Sequence, residues 1–161
     1  MIVRKMKASD VEAVARNEAL CFSMPWSENA FREIASVQEA GEEQESAGIQ
    51  ATDGGLTILY LVAELDGRIV GHCGVRNLLG EGEITNVAVH PDYRNKGIAG
   101  AMLAELLDRG GRMGIEAFTL EVRAGNGSAV HLYEKAGFVT EGVRKGFYDM
   151  PKEDALIMWK R

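Results

Sequence analysis

An apolar, β-branched run, Ile84-Thr85-Asn86-Val87-Ala88-Val89, leads through a basic turn into a helical pattern with Ala99, Met102, Leu103 and Leu106 on one face. The turn reads Arg94-Asn95-Lys96-Gly97-Ile98-Ala99-Gly100. A strand that feeds a helix through a short glycine-containing turn commits this part of the chain to an α/β unit. It also aims free N–H groups, and the positive end of the helix dipole, at whatever sits above the helix start. Arg94 and Lys96 add two positive charges. The spacing matches neither Gly-x-Gly-x-x-Gly nor a glycine-rich loop ending in Gly-Lys-Ser/Thr, so a plain dinucleotide or a nucleoside triphosphate is disfavoured. The turn is expected to cradle a pyrophosphate of another kind.

The rest of the chain places this unit in a mixed sheet. Ile2 to Met6 reads as a strand, and Ser9-Asp10-Val11-Glu12 as a capping box opening a helix from about Asp10 to Cys21. Pro25 breaks the chain, and Ser27 caps a second helix with Ala30, Phe31, Ile34 and Ala35 on its apolar face. Thr57 to Glu64 and Arg68 to Arg76 are strands joined by a two-residue hairpin at Asp66-Gly67. After the basic turn, the helix should end at Gly110-Gly111. Ile115 to Val122 is the next strand, Asn126 to Ala136 a helix, and Phe138 to Arg144 with Ala155 to Lys160 a last strand pair. Hairpins beside strand-helix-strand units predict an α/β (α+β) fold with about six to seven strands and about four helices. Val37 to Leu56 stands apart. It carries Glu39, Glu42, Glu43 and Glu45 without Lys or Arg, and reads as a helix extension or loop, or as an acidic lid over a binding site.

Composition narrows the function. At 161 residues the chain suits a single domain, 1–161, and no apolar run approaches the roughly 18 residues of a membrane span. Two cysteines, Cys21 and Cys73, form no disulfide framework, and no Cys/His cluster has metal-ligand spacing, so no metal is expected. With no secretory h-region after Met1, the expected compartment is the cytoplasm. A net charge of −6 argues against nucleic acid as a partner and suits a cationic amine. His72, His90 and His131 are expected to be surface or packing residues, and Cys21 and Cys73 buried small hydrophobes.

The turn, together with Val87-Ala88-Val89-His90-Pro91-Asp92-Tyr93 ahead of it, resembles the coenzyme A signature of the GCN5-related N-acetyltransferases (GNAT). Leu120-Glu121-Val122-Arg123-Ala124-Gly125-Asn126 and Ala129-Val130-His131-Leu132-Tyr133-Glu134-Lys135-Ala136-Gly137-Phe138 resemble the next two blocks of that superfamily, in the same order. Pro25-Trp26-Ser27-Glu28 and Glu153-Asp154-Ala155 resemble its ribosomal-protein alanine N-acetyltransferases. The resemblance implies the GNAT fold, with parallel strands that splay at a cofactor cleft, and acetyl-CoA as cosubstrate. Backbone groups of Val87, Ala88 and Val89 would meet its pantetheine arm. Arg94, Asn95, Lys96, Gly97, Ile98, Ala99 and Gly100 would hold its pyrophosphate, and Asn126, first of all a helix N-cap, would also touch the arm.

Direct acetyl transfer needs a neutral amine and a proton for the departing thiolate. Glu121, at the C-terminal end of a strand, shares one face with Thr119 and Arg123, and Tyr133 lies on the helix that follows. A phenol, with an ordinary pKa of about 10, is only slightly weaker than a thiol of about 8.5. The resemblance makes Glu121 the proton acceptor and Tyr133 the proton donor. Glu83, just before the cofactor strand, is the rival base, and Glu81 a weaker one. An α-amine with a pKa of about 8 is neutral in roughly one molecule in ten at pH 7, against fewer than about one in a thousand for lysine. The expected acceptor is therefore a protein or peptide N-terminus, with a ribosomal protein as one candidate. A small-molecule amine (a polyamine, aminoglycoside or amino acid) and a non-catalytic acetyl-CoA-binding domain are the alternatives. Phe147-Tyr148 is expected to flank the amine.

Overall fold

The computed structural model describes residues 1–46 and 56–161. Among these, seven strands form one sheet: β1 (Ile2–Lys5), β2 (Leu56–Leu65), β3 (Arg68–Leu78), β4 (Glu81–Val89), β5 (Ala117–Arg123), β6 (Val139–Tyr148) and β7 (Glu153–Lys160). Four helices accompany it: α1 (Val11–Cys21), α2 (Glu28–Ser46), α3 (Ile98–Arg112) and α4 (Gly127–Lys135). The spatial order is β1-β2-β3-β4-β5-β7-β6, antiparallel throughout except for the pair β4–β5. This is the mixed architecture that the alternation of hairpins and helices predicts.

Period-two patterning sorts the strands into two apolar layers. Leu59, Leu61 and Ala63 of β2 pack with Met102, Leu103 and Leu106 of α3, while Tyr60 and Val62 turn to Val11, Val14, Phe31 and Ala35 of α1 and α2. Asp66 and Gly67 both adopt positive φ, as the mirror-image hairpin turn requires. A second tight hairpin joins β3 to β4 through Leu79 and Gly80, also at positive φ. Leu is a poor turn residue, so no local signal marks this hairpin, and both strands run longer than expected.

The helix ends follow hydrogen bonding in detail. The expected box from Ser9 to Glu12 lies two residues earlier, from Lys7 to Asp10. Ala8–Asp10 forms a short 3-10 turn, and an Asp10 oxygen accepts from the Lys7 N–H at 2.8 Å. Arg4 donates to both Asp10 oxygens at 2.7 and 2.9 Å, a charge-assisted pairing that a serine hydroxyl cannot match. Burial works against the Asp10 charge, but the Arg4 and Lys7 bonds outweigh it and hold the carboxyl below its ordinary range. Ser27 accepts from the Ala30 N–H at 3.1 Å and caps α2 as expected. Helix α3 passes through Gly110 and Gly111 and ends at Arg112 instead.

Helix α2 absorbs the first part of the Glu-rich segment and docks it more firmly than a solvated extension would be. Buried Gln38 donates to the carbonyls of Met6 and Tyr60 and accepts from the Tyr60 N–H. Glu39 accepts from the Ala8 N–H and Glu42 pairs with Lys5 at 3.3 Å, so both lean toward β1. Residues 47–55 of that segment lie outside the described residues.

Strand β4 carries two irregularities. Its register with β5 covers only Glu81–Glu83 against Ala117–Thr119, and beyond these the two parallel strands have no register partners in each other. Against β3 the register shifts at Gly74/Val75, whose partners are Asn86 and Ile84, leaving Thr85 as the extra residue of a bulge.

Candidate active site

The parting of β4 from β5 opens a gap in the sheet at Val87–Val89, with the start of α3 close behind in sequence. Gly97 is the N-cap of α3 in the left-handed conformation, φ +77°, and no side chain caps the helix. A Cβ built at Gly97 would have nothing within 4 Å, so the space in front of the first turn is open. An uncapped helix start beside an unpaired strand edge offers N–H groups to an anion and amide partners to an extended arm. Coenzyme A, a phosphoanhydride carrying an amide-bearing arm, fits both parts. Lys96 and Asn95 are exposed on this turn. Arg94 instead points its guanidinium back, donating to the Val89 carbonyl at 3.3 Å and to the Cys21 sulfur at 3.7 Å. It therefore ties the turn to the end of β4. Asn126 caps α4 by accepting from the Ala129 N–H at 3.3 Å, as expected.

Along β5 the alternation holds: Phe118, Leu120 and Val122 are buried, and Thr119, Glu121 and Arg123 share the other face. Glu121 lies two residues past the last pairing with β4 and forms an ion pair with Arg144 of β6 at 3.1 Å. Tyr133 is buried, its ring edge-on to Phe138 at 5.9 Å. Burial pushes its phenol well above the ordinary value, with smaller contributions from Cys73 and Tyr148. Tyr148 is also raised, by burial first and then by the Glu121 charge. Tyr148 is thus in electrostatic reach of both Glu121 and Tyr133. Arg123 donates to the carbonyls of Pro151 (2.8 Å) and Asp149 (3.0 Å), and lies over the Tyr148 ring at 4.5 Å. It organises the β6–β7 hairpin beside the site. Sequence pattern assigns no role to Arg123 or Arg144; the only signal is that Arg123 shares a face with Glu121.

The rival carboxylate is close as well. Glu83 is the register partner of Thr119, which puts it on the same face of the sheet as Glu121. It is exposed and paired with Arg76 at 3.3 Å. Glu81 is exposed opposite Ala117, at the far end of the paired stretch.

On this face a cleft of about 470 Å³ runs between α2 and β2, lined by Trp26, Ala30, Glu33, Ile34, Val37 and Ile58, with Ser27 at its edge. A smaller cavity of about 100 Å³ continues from Trp26, Ile34 and Ile58 past Tyr60 to Arg76 and Thr85. It joins the Pro25-Trp26-Ser27-Glu28 loop to the bulge of β4. Phe147 is half-exposed and packs edge-on against Tyr148 at 5.0 Å.

His72 is a packing residue as expected, with polar partners that were not, and the expectation for Cys21 needs correction. His72 is fully buried and hydrogen-bonded on both ring nitrogens, to Asn17 and to Glu18, each at 3.0 Å. Its partners are more than fifty residues away in sequence, so the local pattern shows only a histidine in an apolar strand. Cys21 is half-exposed rather than buried, its thiol directed to the Val89 carbonyl at 3.3 Å. Cys73 is buried as expected, and burial pushes its thiol up to about 12.

The sequence model described as the acetyltransferase (GNAT) family matches residues 12–138. The chain belongs to this family. This GNAT is 31% identical over 158 residues to the ribosomal protein bS18-alanine N-acetyltransferase of Escherichia coli (strain K12), covering 97% of this chain and 94% of that one. It is 32% identical to a Bacillus subtilis (strain 168) protein whose name proposes the same activity, covering 98% and 93%. The crystal structure of the ribosomal-protein-S18-alanine N-acetyltransferase from Escherichia coli superposes with a TM-score of 0.78 at 27% identity, covering 99% of this chain and 92% of that one. The protein is an N-acetyltransferase that transfers acetyl to an amine.

Proposed function

We propose that this GNAT acetylates the N-terminal α-amine of a protein, with the N-terminal alanine of a ribosomal protein as its first candidate. The observation that carries this is the agreement of nearly full-length relatives named for that reaction with the cleft beside Trp26. The cleft continues to the β4 bulge, on the face that also carries Glu121 and Glu83. An apolar cleft suits a small uncharged first residue.

Acetyl-CoA supplies the acetyl group as a thioester. In our reading the backbone of Val87–Val89 holds the pantetheine arm, and the turn Asn95–Gly100 holds the pyrophosphate through its N–H groups. Lys96 supplies charge, Arg94 braces the turn, and Asn126 meets the arm. Glu121, oriented by Arg144, takes the proton of the incoming ammonium. Burial disfavours the phenolate and keeps Tyr133 protonated. It passes that proton to the thiolate as the tetrahedral adduct collapses and recovers one from the acetylated nitrogen, which sheds its second proton, so no buried phenolate persists. An acceptor of this kind is made in the cytoplasm, where free Cys21 and Cys73 remain reduced.

Mass spectrometry of peptides incubated with acetyl-CoA tests the reading. Peptides with a free N-terminal alanine are expected to be acetylated faster than the same peptides blocked at the N-terminus and carrying lysine. Products on lysine or polyamines, with free N-termini untouched, would overturn the acceptor assignment.

A further inference from the structure

Glu18 is 2% exposed, pairs with His72 and forms no ion pair with Lys or Arg among the described residues, and has no part in the proton transfers above. Its contacts are specific. One oxygen accepts from His72 Nε2 at 3.0 Å and from the Asn86 amide at 3.1 Å; the other accepts from the Trp26 backbone N–H at 3.0 Å. Asn17, also buried, donates its amide to His72 Nδ1 at 3.0 Å, which leaves Nε2 as the ring nitrogen that carries hydrogen. The imidazole is fixed further by the Tyr60 ring stacked on it at 6.1 Å and the edge of Phe31 at 5.7 Å.

These contacts join two walls of the cleft. Trp26 lines both the outer cleft and the inner cavity, and Asn86 follows Thr85, the bulge residue that ends that cavity. We infer that Glu18, aligned by His72 and Asn17, is the positioning residue of the acceptor end. It sets the Trp26 loop at a fixed distance from the β4 bulge, and so fixes the width of the passage to the reacting amine. The inference rests on placing the acceptor in that cleft. A carboxylate is the group for this task because all three partners are donors; an amide in its place sets one N–H against another. The arrangement lies on the opposite face of the sheet from α3, and changes at Glu18 and His72 leave in place its link to the cofactor turn through Asn17, Cys21 and Arg94, so the acetyl-CoA end should be little affected.

Two readouts separate the inference from the reading beneath it. In a Trp159→Phe background, acrylamide quenching reports on Trp26 alone. Glu18→Gln and His72→Met should increase that quenching and raise the KM of whichever amine the enzyme turns over by about tenfold. The KM for acetyl-CoA should hold, and kcat should change less than about threefold. His72→Gln keeps a donor near the Nε2 position and should restore both readouts to near the parent value. The His72 pair answers the question by itself if Glu18→Gln does not fold. Unchanged quenching in His72→Met, or equal losses in Met and Gln, would overturn the positioning role. Increased quenching with an unchanged amine KM would instead remove the acceptor from the cleft beside Trp26. A parallel rise in both KM values would mark the network as scaffold only.

Discussion

At the start of α3 the groups that would face an anion are main-chain N–H groups, free because Gly97 caps without a side chain and β4 has parted from its partner strand. At the Trp26 end the organising groups are side chains, drawn from α1, β3 and β4 and held by hydrogen bonds among buried polar atoms. The first end depends on where the backbone goes and the second on which residues meet. Side-chain truncation should therefore be cheap at the donor end and costly at the acceptor end, whereas filling backbone space should do the reverse.

The largest effect is expected from Gly97→Glu. The open space accommodates a side chain, but the φ of +77° strains it and the carboxylate occupies the anion position. Acetyl-CoA at a hundred times its Kd stabilises a protein by about 2.7 kcal/mol, and all of that should vanish from thermal melts of the variant. Arg94→Ala and Lys96→Ala should keep most of it. If Lys96→Ala loses as much as Gly97→Glu, the donor end is not built from backbone.

Tyr133→Phe comes next, with kcat lowered about a hundredfold at unchanged acetyl-CoA affinity. Burial raises this phenol, so its protonated form persists above its ordinary pKa, and kcat/KM for the parent enzyme should show no falling limb below a pH of about 10. A limb near a pH of about 9 that disappears in Tyr133→Phe would show a phenol ionising earlier than its burial permits.

Glu121→Gln should lower turnover by roughly tenfold to a hundredfold, most at low pH where the amine is protonated. Glu83→Gln should do less, because that carboxylate is exposed and paired with Arg76. The reverse ranking would move the base to Glu83.

The smallest effect on catalysis should follow Asp10→Asn, which touches neither end. Its carboxyl is held below the ordinary range, so its contribution is complete above a pH of about 4 and fades as pH falls through the lowered folded value. Denaturant titrations at pH 7 should show a loss of about 1.5–3 kcal/mol, as for hydrogen bonds to a charged group. The gap to the parent should narrow toward a pH of about 2, with kcat unaltered.

The same contrast explains what was legible in the sequence. A backbone-built end leaves a local trace: a β-branched strand, a glycine that caps and an apolar helix stripe all fall within Ile84 to Leu106. Hence the turn, the caps at Ser27 and Asn126, and the alternation around Glu121 could be read directly. The Glu18–His72 contact spans 54 positions and Glu18–Asn86 spans 68, so no window holds both partners. Arg144 meets Glu121 only because β7 returns between β5 and β6. The Leu79–Gly80 hairpin was hidden for another reason: its geometry comes from strand pairing, against the preference of Leu.

Three register pairs join β1–β4 to the block β5–β7–β6. The two blocks share the core beneath α3, but with so short a seam in the sheet β6 and β7 should be less protected from amide hydrogen exchange than β2 and β3 in the cofactor-free enzyme. A ligand that bridges the gap at Val87–Val89 would join them, so acetyl-CoA should raise protection in β6 and β7, strands distant from the turn proposed to hold its phosphates.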